Sequence, residues 1–293
     1  MNTSHNERDE LDRHGQINIG DSAVLTANDL ARAFRDIGLA PGDNVILHSS
    51  FKSLGPVEGG PQCVVDAMMD VISPGGHLMT PTFTYCLPVW NVQPFDIAHT
   101  KSRVGAITEA VRLYPGAMRS FHPTHSVAVI GPDAEEIVRN HMRATPIGLD
   151  SPFDRMRRRG ARILMLGVNQ NTNSSLHLCE VAAGMPYVQV AFTPNQNCET
   201  AWFFNEQGQI EHTQIYEPPG CSRGFREIEP ELRQLGILRD MCVARAESQL
   251  LYLPQMADAV IGILRKRQTL LLCGNPDCSI CPRRRYYMQR HGI

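Results

Sequence analysis

Apolar residues recur along this chain at two different periods, and the alternation between those periods predicts its architecture. After a polar segment from Met1 to Asp21, Leu30, Phe34 and Ile37 return one helical turn apart. Thr26 and Asp29 flank the start of that helix, and Gly38 with a Pro41-Gly42-Asp43 turn ends it. Asn44 to Leu47 (NVIL) then reads as a short buried strand. It runs into His48-Ser49-Ser50, a loop carrying Gly55, Gly59 and Gly60, and a helix opened by Pro61 with Val64, Val65, Met68, Val71 and Ile72 on its apolar face. Strand patterns return at His77 to Thr80, Ser126 to Ile130 and Ala161 to Val168, and helical patterns follow near Ala134 to His141 and from Leu176. Strands alternating with helices predict an α/β fold with a largely parallel sheet and helices on both faces. Such sheets carry their sites outside the carboxyl ends of the strands, where the polar clusters at Ser49, Thr80 and Asn169 fall.

Two stretches break the alternation. Tyr85 to Arg103 holds Pro88, Trp90, Pro94 and Phe95 without clear periodicity and reads as a substrate-side wall. Val188 to Phe225 weakens to short alternating pieces, with a hairpin around Glu206 to Gly208, and predicts an antiparallel insertion in the C-terminal half. The expected organisation is a polar N-terminal tail over 1–20, one α/β domain over 21–272 and a Cys/Arg-rich C-terminal tail over 273–293.

Composition narrows the function. With 293 residues, 28 basic against 30 acidic side chains and 42% hydrophobic residues, the chain can bury a sizeable core. It lacks the basic field that gathers nucleic acid. The first residues show no signal-peptide pattern, and no apolar run approaches the roughly 18 residues a membrane helix needs, so a cytoplasmic protein with no membrane partner is expected. In that compartment the nine cysteines should be reduced, and serve as core thiols, reactive thiols or metal ligands.

Three clusters could carry chemistry. His177 and Glu180 lie three apart at the start of a helix and share a face, an arrangement in which a carboxylate holds an imidazole's tautomer and raises its basicity. The alternative is a pair that only stabilises a helix's first turn. His122-Pro123-Thr124-His125-Ser126 crowds two imidazoles and two hydroxyls into a turn, whose alternative role is to satisfy backbone groups. His48 to Gly55 offers small side chains and backbone amides at a strand end, suited to phosphate or pantetheine or simply an ordinary connection. It has neither dinucleotide-loop nor P-loop spacing. Cys179 points roughly 200° from His177 on an ideal helix and so reads as a core thiol rather than a nucleophile.

In order and spacing, HSSFKSLGPVEGG (48–60), PGGHLMTPTFTY (74–85), RSFHPTHSVAVIG (119–131) and SPFDRMRRRGARILMLGVNQNTNSSLHLCE (151–180) resemble the antibiotic N-acetyltransferase family, the aminoglycoside 3-N-acetyltransferases. The resemblance implies acyl transfer from acetyl-CoA to a primary amine, with an aminoglycoside 3-amino group as the first candidate. It implies that Ser49, Ser50, Ser53, Leu54 and Gly55 contact the pantetheine and pyrophosphate, that Thr80 and Thr82 line the cleft, and that Ser126 sits near the thioester. It places His177 with Glu180 at the catalytic position and counts His122, in the HPxxS signature, with them. A small-molecule amine and acyl-CoA are then the expected partners, with a homodimer left open.

Two departures keep alternatives in view. Within 85–103 the only carboxylate is Asp96, opposed by Lys101 and Arg103, so a less cationic amine from natural-product metabolism stands beside the aminoglycoside. Cys273, Cys278 and Cys281 form a Cys-x₄-Cys-x₂-Cys run that could grip a structural zinc with Cys221, Cys242 or His291 as the fourth ligand, or remain unligated. A zinc-dependent hydrolase or deaminase using His177, Glu180 and cysteines as ligands is the rival from another class. Arg283, Arg284 and Arg285 read as a solvated tail, with the 3′-phosphate of coenzyme A as the other reading.

Overall fold

A computed structural model describes residues 23–292, so the polar N-terminal tail lies outside the described residues. In chain order the elements are α1 (Ala27–Asp36), β1 (Asn44–Ser49), α2 (Pro61–Ile72), β2 (His77–Pro81), α3 (Ala106–Arg112), β3 (Met118–Arg119), β4 (Val127–Ile130), α4 (Ala134–Val138) and α5 (Pro152–Arg158). There follow β5 (Arg162–Leu166), α6 (Ser175–Ala182), β6 (Cys198–Phe204), β7 (Ile210–Tyr216), α7 (Glu229–Gln234), β8 (Arg239–Val243), β9 (Ala246–Tyr252), α8 (Leu253–Lys266) and α9 (Cys281–Arg290). Local chemistry sets several boundaries. Thr26 and Asp29 form a reciprocal capping box at the start of α1, and Pro61 occupies the first turn of α2, where its missing N–H has no partner to lose.

Seven strands form one sheet in the order β3-β4-β2-β1-β5-β9-β8. The α/β class, the helices on both faces and the antiparallel insertion match the sequence pattern. The parallel part is narrower than expected: β2, β1 and β5 run together, while β4, β3, β9 and β8 join antiparallel. For β8 and β9 the cause is a short connection. β8 and β9 are linked by Ala244 and Arg245 alone, with Ala244 at φ +52°, and a two-residue link can only return a strand antiparallel.

Strand alternation divides the core. Val45 and Leu47 of β1 pack with α1, α2 and α3 on one face, whereas Ile46 packs with α5, α6 and α8 on the other. The next residue on the Ile46 side is His48, which the pleat therefore aims toward α6. The three parallel strands all end at one edge, at Ser49, Pro81 and Leu166, and β4 begins there at Val127 opposite Pro81.

The predicted hairpin is β6 paired with β7, a separate two-stranded sheet turned at Gly208. It anchors the 85–103 segment. The Phe95 N–H donates to the Trp202 carbonyl at 3.0 Å, Phe204 N–H returns to the Phe95 carbonyl at 2.9 Å, and Trp202 Nε1 donates to the Val92 carbonyl at 2.6 Å. The C-terminal segment corrects an expectation. Instead of a solvated tail, Cys273, Cys278, Ile280, Cys281 and Met288 sit in the main core, and Arg284 is buried.

Candidate active site

A cavity of about 560 Å³, within the range of small-ligand pockets, opens outside the carboxyl ends of the parallel strands. Strand β1 contributes its floor through His48 and Ser49. His48 Nε2 and Ser49 Oγ are buried and have no hydrogen-bond partner among the described residues. Burial pushes the His48 pKa down to about 3, so the ring is neutral at physiological pH.

Helix α6 carries the His177–Glu180 pair. Its first turn is set by Asn173, whose Oδ1 accepts the Ser175 N–H at 3.0 Å. One turn on, His177 Nδ1 meets Glu180 Oε2 at 2.6 Å, and Glu180 Oε1 accepts the Tyr187 hydroxyl at 2.8 Å. A carboxylate accepts rather than donates, so Nδ1 carries the proton and the Nε2 lone pair is left for the cavity that His177 lines. The edge of the Phe225 ring, 4.6 Å away between centroids, holds the imidazole in place. Cys179 is buried with its thiol on the Ser175 carbonyl at 3.4 Å, and burial raises its pKa, which makes it an inert core thiol as expected.

The HPTHS turn divides its histidines. His122, expected with the catalytic residues, is buried away from the cavity and its Nδ1 accepts the His125 N–H at 3.0 Å and the Thr124 N–H at 3.3 Å. Its ring closes its own turn. His125 is the imidazole that faces the cavity, fixed by Thr124 Oγ1 at 2.8 Å and by the Phe83 ring at 4.6 Å. Burial, then the neighbouring imidazoles, hold both rings well below the usual histidine range.

The other residues expected to contact the cofactor lie around the cavity rather than on its lining. Thr80, Thr82, Leu54 and Ser126 are fully buried behind the cavity wall. Ser126 Oγ donates to the Thr82 carbonyl at 2.8 Å and accepts Arg119 Nε at 3.2 Å, while Arg119 holds the carbonyls of Ile97 at 2.9 Å and Thr100 at 2.6 Å. Ser53 donates to the Ser50 carbonyl at 2.7 Å beneath Gly167, where an added Cβ would lie 1.7 Å from Ser53 Oγ. Gly55 turns at φ +70° against the Arg245 side chain. Of these residues and Ser50, none lines the cavity; of the expected set Ser49 does.

Tyr85, Leu87 and Trp90 form the wall that the 85–103 segment predicts, facing Phe192, Ile215 and Pro218. Among the described residues that line the cavity, Glu199 supplies the only carboxylate, and it already accepts the Thr193 N–H at 2.9 Å and hydroxyl at 2.6 Å. Sequence pattern missed Glu199 and left His125 unassigned within its motif. No spacing signal marks Glu199; the HPTHS segment did signal His125, without saying which of its rings turns outward.

A second cluster lies where the C-terminal segment meets the wall. The thiols of Cys221, Cys273, Cys278 and Cys281 all lie within 4.8 Å of one another, with Cys221 and Cys273 Sγ at 3.8 Å. Of the fourth ligands that the sequence offered, the fold brings in Cys221.

Comparison with known proteins gives a consistent result. Residues 46–265 match the family model described as aminoglycoside 3-N-acetyltransferase. Aminoglycoside N(3)-acetyltransferase VIII of Streptomyces fradiae is 34% identical over 185 residues, which span 55% of this chain and 63% of that relative. Aminoglycoside N(3)-acetyltransferase IV of a Salmonella species is 26% identical over 239 residues, 81% of this chain and 86% of the relative. The crystal structure of the apoenzyme of aminoglycoside acetyltransferase AAC(3)-IVa superposes with a TM-score of 0.79 at 24% identity, covering 92% of this chain and 99% of its own. A binary complex of AAC-IIIb with coenzyme A superposes with a TM-score of 0.73 at 25% identity, over 84% of this chain and 98% of that one.

Proposed function

The chain belongs to the aminoglycoside 3-N-acetyltransferase family, a family of acyltransferases, and from that premise we propose that it moves an acetyl group from acetyl-CoA to a primary amine bound in the cavity. The observation that carries this reading is the His177 Nδ1 to Glu180 Oε2 contact of 2.6 Å in a ring that lines the cavity. An amine is mostly an ammonium at pH 7 and has no lone pair to attack with, so a base must take its proton. His177 Nε2 is that base. Glu180, its other oxygen held by Tyr187, stabilises the imidazolium that forms. The amine then attacks the thioester carbonyl, the C–S bond breaks, and coenzyme A leaves as its thiol after receiving the proton that His177 took up, while the nitrogen gives its second proton to solvent through the freed His177 as the amide forms. Ser49 lines the cavity floor, and its buried Oγ–H, without a partner among the described residues, is the donor assigned to the developing oxyanion, a role worth about 3 kcal/mol.

The test is release of free thiol from acetyl-CoA by the purified protein against a panel of amines, with aminoglycosides first. The His177→Gln variant should lose about 10²- to 10⁴-fold in kcat while binding coenzyme A as before. Full activity in that variant removes His177 as the base. A second reading of the acceptor has its own support. Aminoglycosides are polycations, and a cavity with Glu199 as the single carboxylate among its described lining residues, between apolar and aromatic walls, suits an amine of low charge. The panel therefore includes mono-amines with a hydrophobic body, and the ratio of kcat/KM between the two groups decides.

The thiol cluster fits a structural zinc. Tetrahedral sulfur ligands about 2.3 Å from a zinc ion lie about 3.8 Å apart, the separation of the Cys221 and Cys273 sulfurs. Four thiolates fill the shell and leave no open position for catalysis, so a hydrolase or deaminase reading draws no support from this site. Zinc bound there would cross-link two loops.

A further inference from the structure

The thiol cluster and one buried arginine meet at the same wall of the cavity. Cys221 follows directly on Pro218, Pro219 and Gly220 and precedes Ser222, all four of which line the cavity. Cys281 begins α9, and Arg284 lies almost one turn further along that helix. Arg284 is only 2% exposed and is the largest fully buried side chain. Its Nη2 donates to the carbonyls of Pro218 at 2.9 Å and Val190 at 3.4 Å, and its guanidinium carbon stands 5.4 Å from the centre of the Tyr187 ring. Gly220 makes room for it, since a Cβ there would lie 2.4 Å from Nη1. With His177, Glu180, Glu217 and Pro218 it lines a small void directly behind the base.

Among the described residues no carboxylate forms an ion pair with Arg284. Burying a guanidinium on carbonyls and a ring alone is unfavourable compared with an apolar side chain of the same size. Stability therefore does not explain its place, whereas the Tyr187 to Glu180 to His177 chain in front of it does.

We propose that the tetrathiolate zinc site and Arg284 form one positioning device: the metal joins the 218–222 wall to α9, and α9 holds Arg284 behind Tyr187 and Glu180, which fixes the His177–Glu180 pair against the cavity. The proposal rests on the zinc reading and on His177 as base. Arg284 touches neither substrate and acts through Tyr187 and Glu180.

The charged and titratable groups around His177 define the expected signature. Glu180 faces it from its own helix, His48, Tyr85, His125 and Glu199 from across the cavity, and Tyr187, Glu217 and Arg284 from behind. Of these, Arg284 is the permanent cation. Removing it favours the protonated imidazole, so the titration of His177 moves to higher pH.

Zinc per chain is measured on protein purified without chelator, with one zinc expected. The His177 ring is then titrated by NMR in the wild type and in the Arg284→Met, Arg284→Lys and Cys221→Ser variants, with coenzyme A binding as the check on folding. Arg284→Met should raise the midpoint by ~0.5 unit or more, Arg284→Lys should restore most of it, and Cys221→Ser should reproduce the Arg284→Met shift. Should Arg284→Met fail to fold, Arg284→Lys and Cys221→Ser still report. Protein that holds no zinc after purification with zinc supplied overturns the metal reading. Protein that holds zinc and shows the wild-type titration in Arg284→Met and Cys221→Ser overturns the positioning device alone. Because the NMR readout needs no turnover, absence of acetylation would count against the proposed reaction without touching either measurement.

Discussion

The hydroxyl of Ser126 is committed to the fold: it donates to one carbonyl and receives the guanidinium that fastens the 97–100 loop. Ser49, at the end of the sheet's central strand, lines the cavity, and its buried hydroxyl has no such partner among the described residues. The two serines should therefore respond differently to removal of the oxygen. Ser126→Ala is expected to lower unfolding stability by about 1–2 kcal/mol with kcat changed less than about threefold, whereas Ser49→Ala should leave stability nearly unchanged and lower kcat about 10²-fold. Urea denaturation and steady-state kinetics on both variants check this, and a reversed pattern would return the oxyanion role to Ser126. The same contrast marks what was legible in the sequence at this scale. His177 with Glu180 could be read directly, because helical spacing alone puts residues three apart on one face. His122 could not be told from His125, because which ring of a turn folds back on the backbone depends on local dihedrals rather than spacing.

Among the elements, α1, α2, β1, β5 and β6–β7 follow from apolar period, caps and a Gly-containing turn, and they stand where those signals put them. The β8–β9 hairpin had no such signal, since its two-residue turn is Ala244-Arg245 in place of Gly or Asn. The cavity wall depends on a contact between elements: Phe95 bridges to Phe203 through the backbone, and its ring meets Phe121 at 5.6 Å and the Arg119 guanidinium at 4.9 Å. Phe95→Ala should cost about 3–5 kcal/mol of stability by opening a buried void, and the loosened wall should raise the KM for the amine severalfold while that for acetyl-CoA stays within about twofold. An equal rise in both constants would show that the hairpin does not belong to the amine side.

For the whole molecule, the buried imidazoles predict how stability depends on pH. Burial pushes His48 down to about 3 and His141 to about 4, and it lowers His122 and His125 in the same direction. The unfolded chain takes up these protons near 6.5, well before the folded one does. Stability from these groups is thus complete above 6.5 and falls as pH drops from there toward 4. The depressed carboxylates Asp29, Asp96 and Asp133 act only at lower pH, around and below their ordinary value of 3.8. Urea midpoints should accordingly decline between pH 7 and pH 5, and a flat profile over that interval would contradict the neutral, buried state of these rings. Global packing is also where the sequence was least legible. Nothing in a Cys/Arg-rich ending announces that Arg284 is buried, because that burial depends on Gly220 and Pro218, which are far away in the chain.

The floor of the cavity joins β1 to β5, so that Val45 pairs with Arg162 and Ser49 with Leu166 across a long stretch of intervening sequence. This connectivity sets where chimeras with relatives can be cut. A crossover between Ser49 and Arg162 takes the two halves of one floor from different parents, and their mismatched side chains would have to be re-evolved together. Exchanging β6–β7 as a block moves a hairpin that meets its surroundings at few backbone positions, chiefly Cys86 and Phe95. Under the proposed function, recombination there is expected to trade one acceptor preference for another while the acyl donor's half of the site is inherited intact.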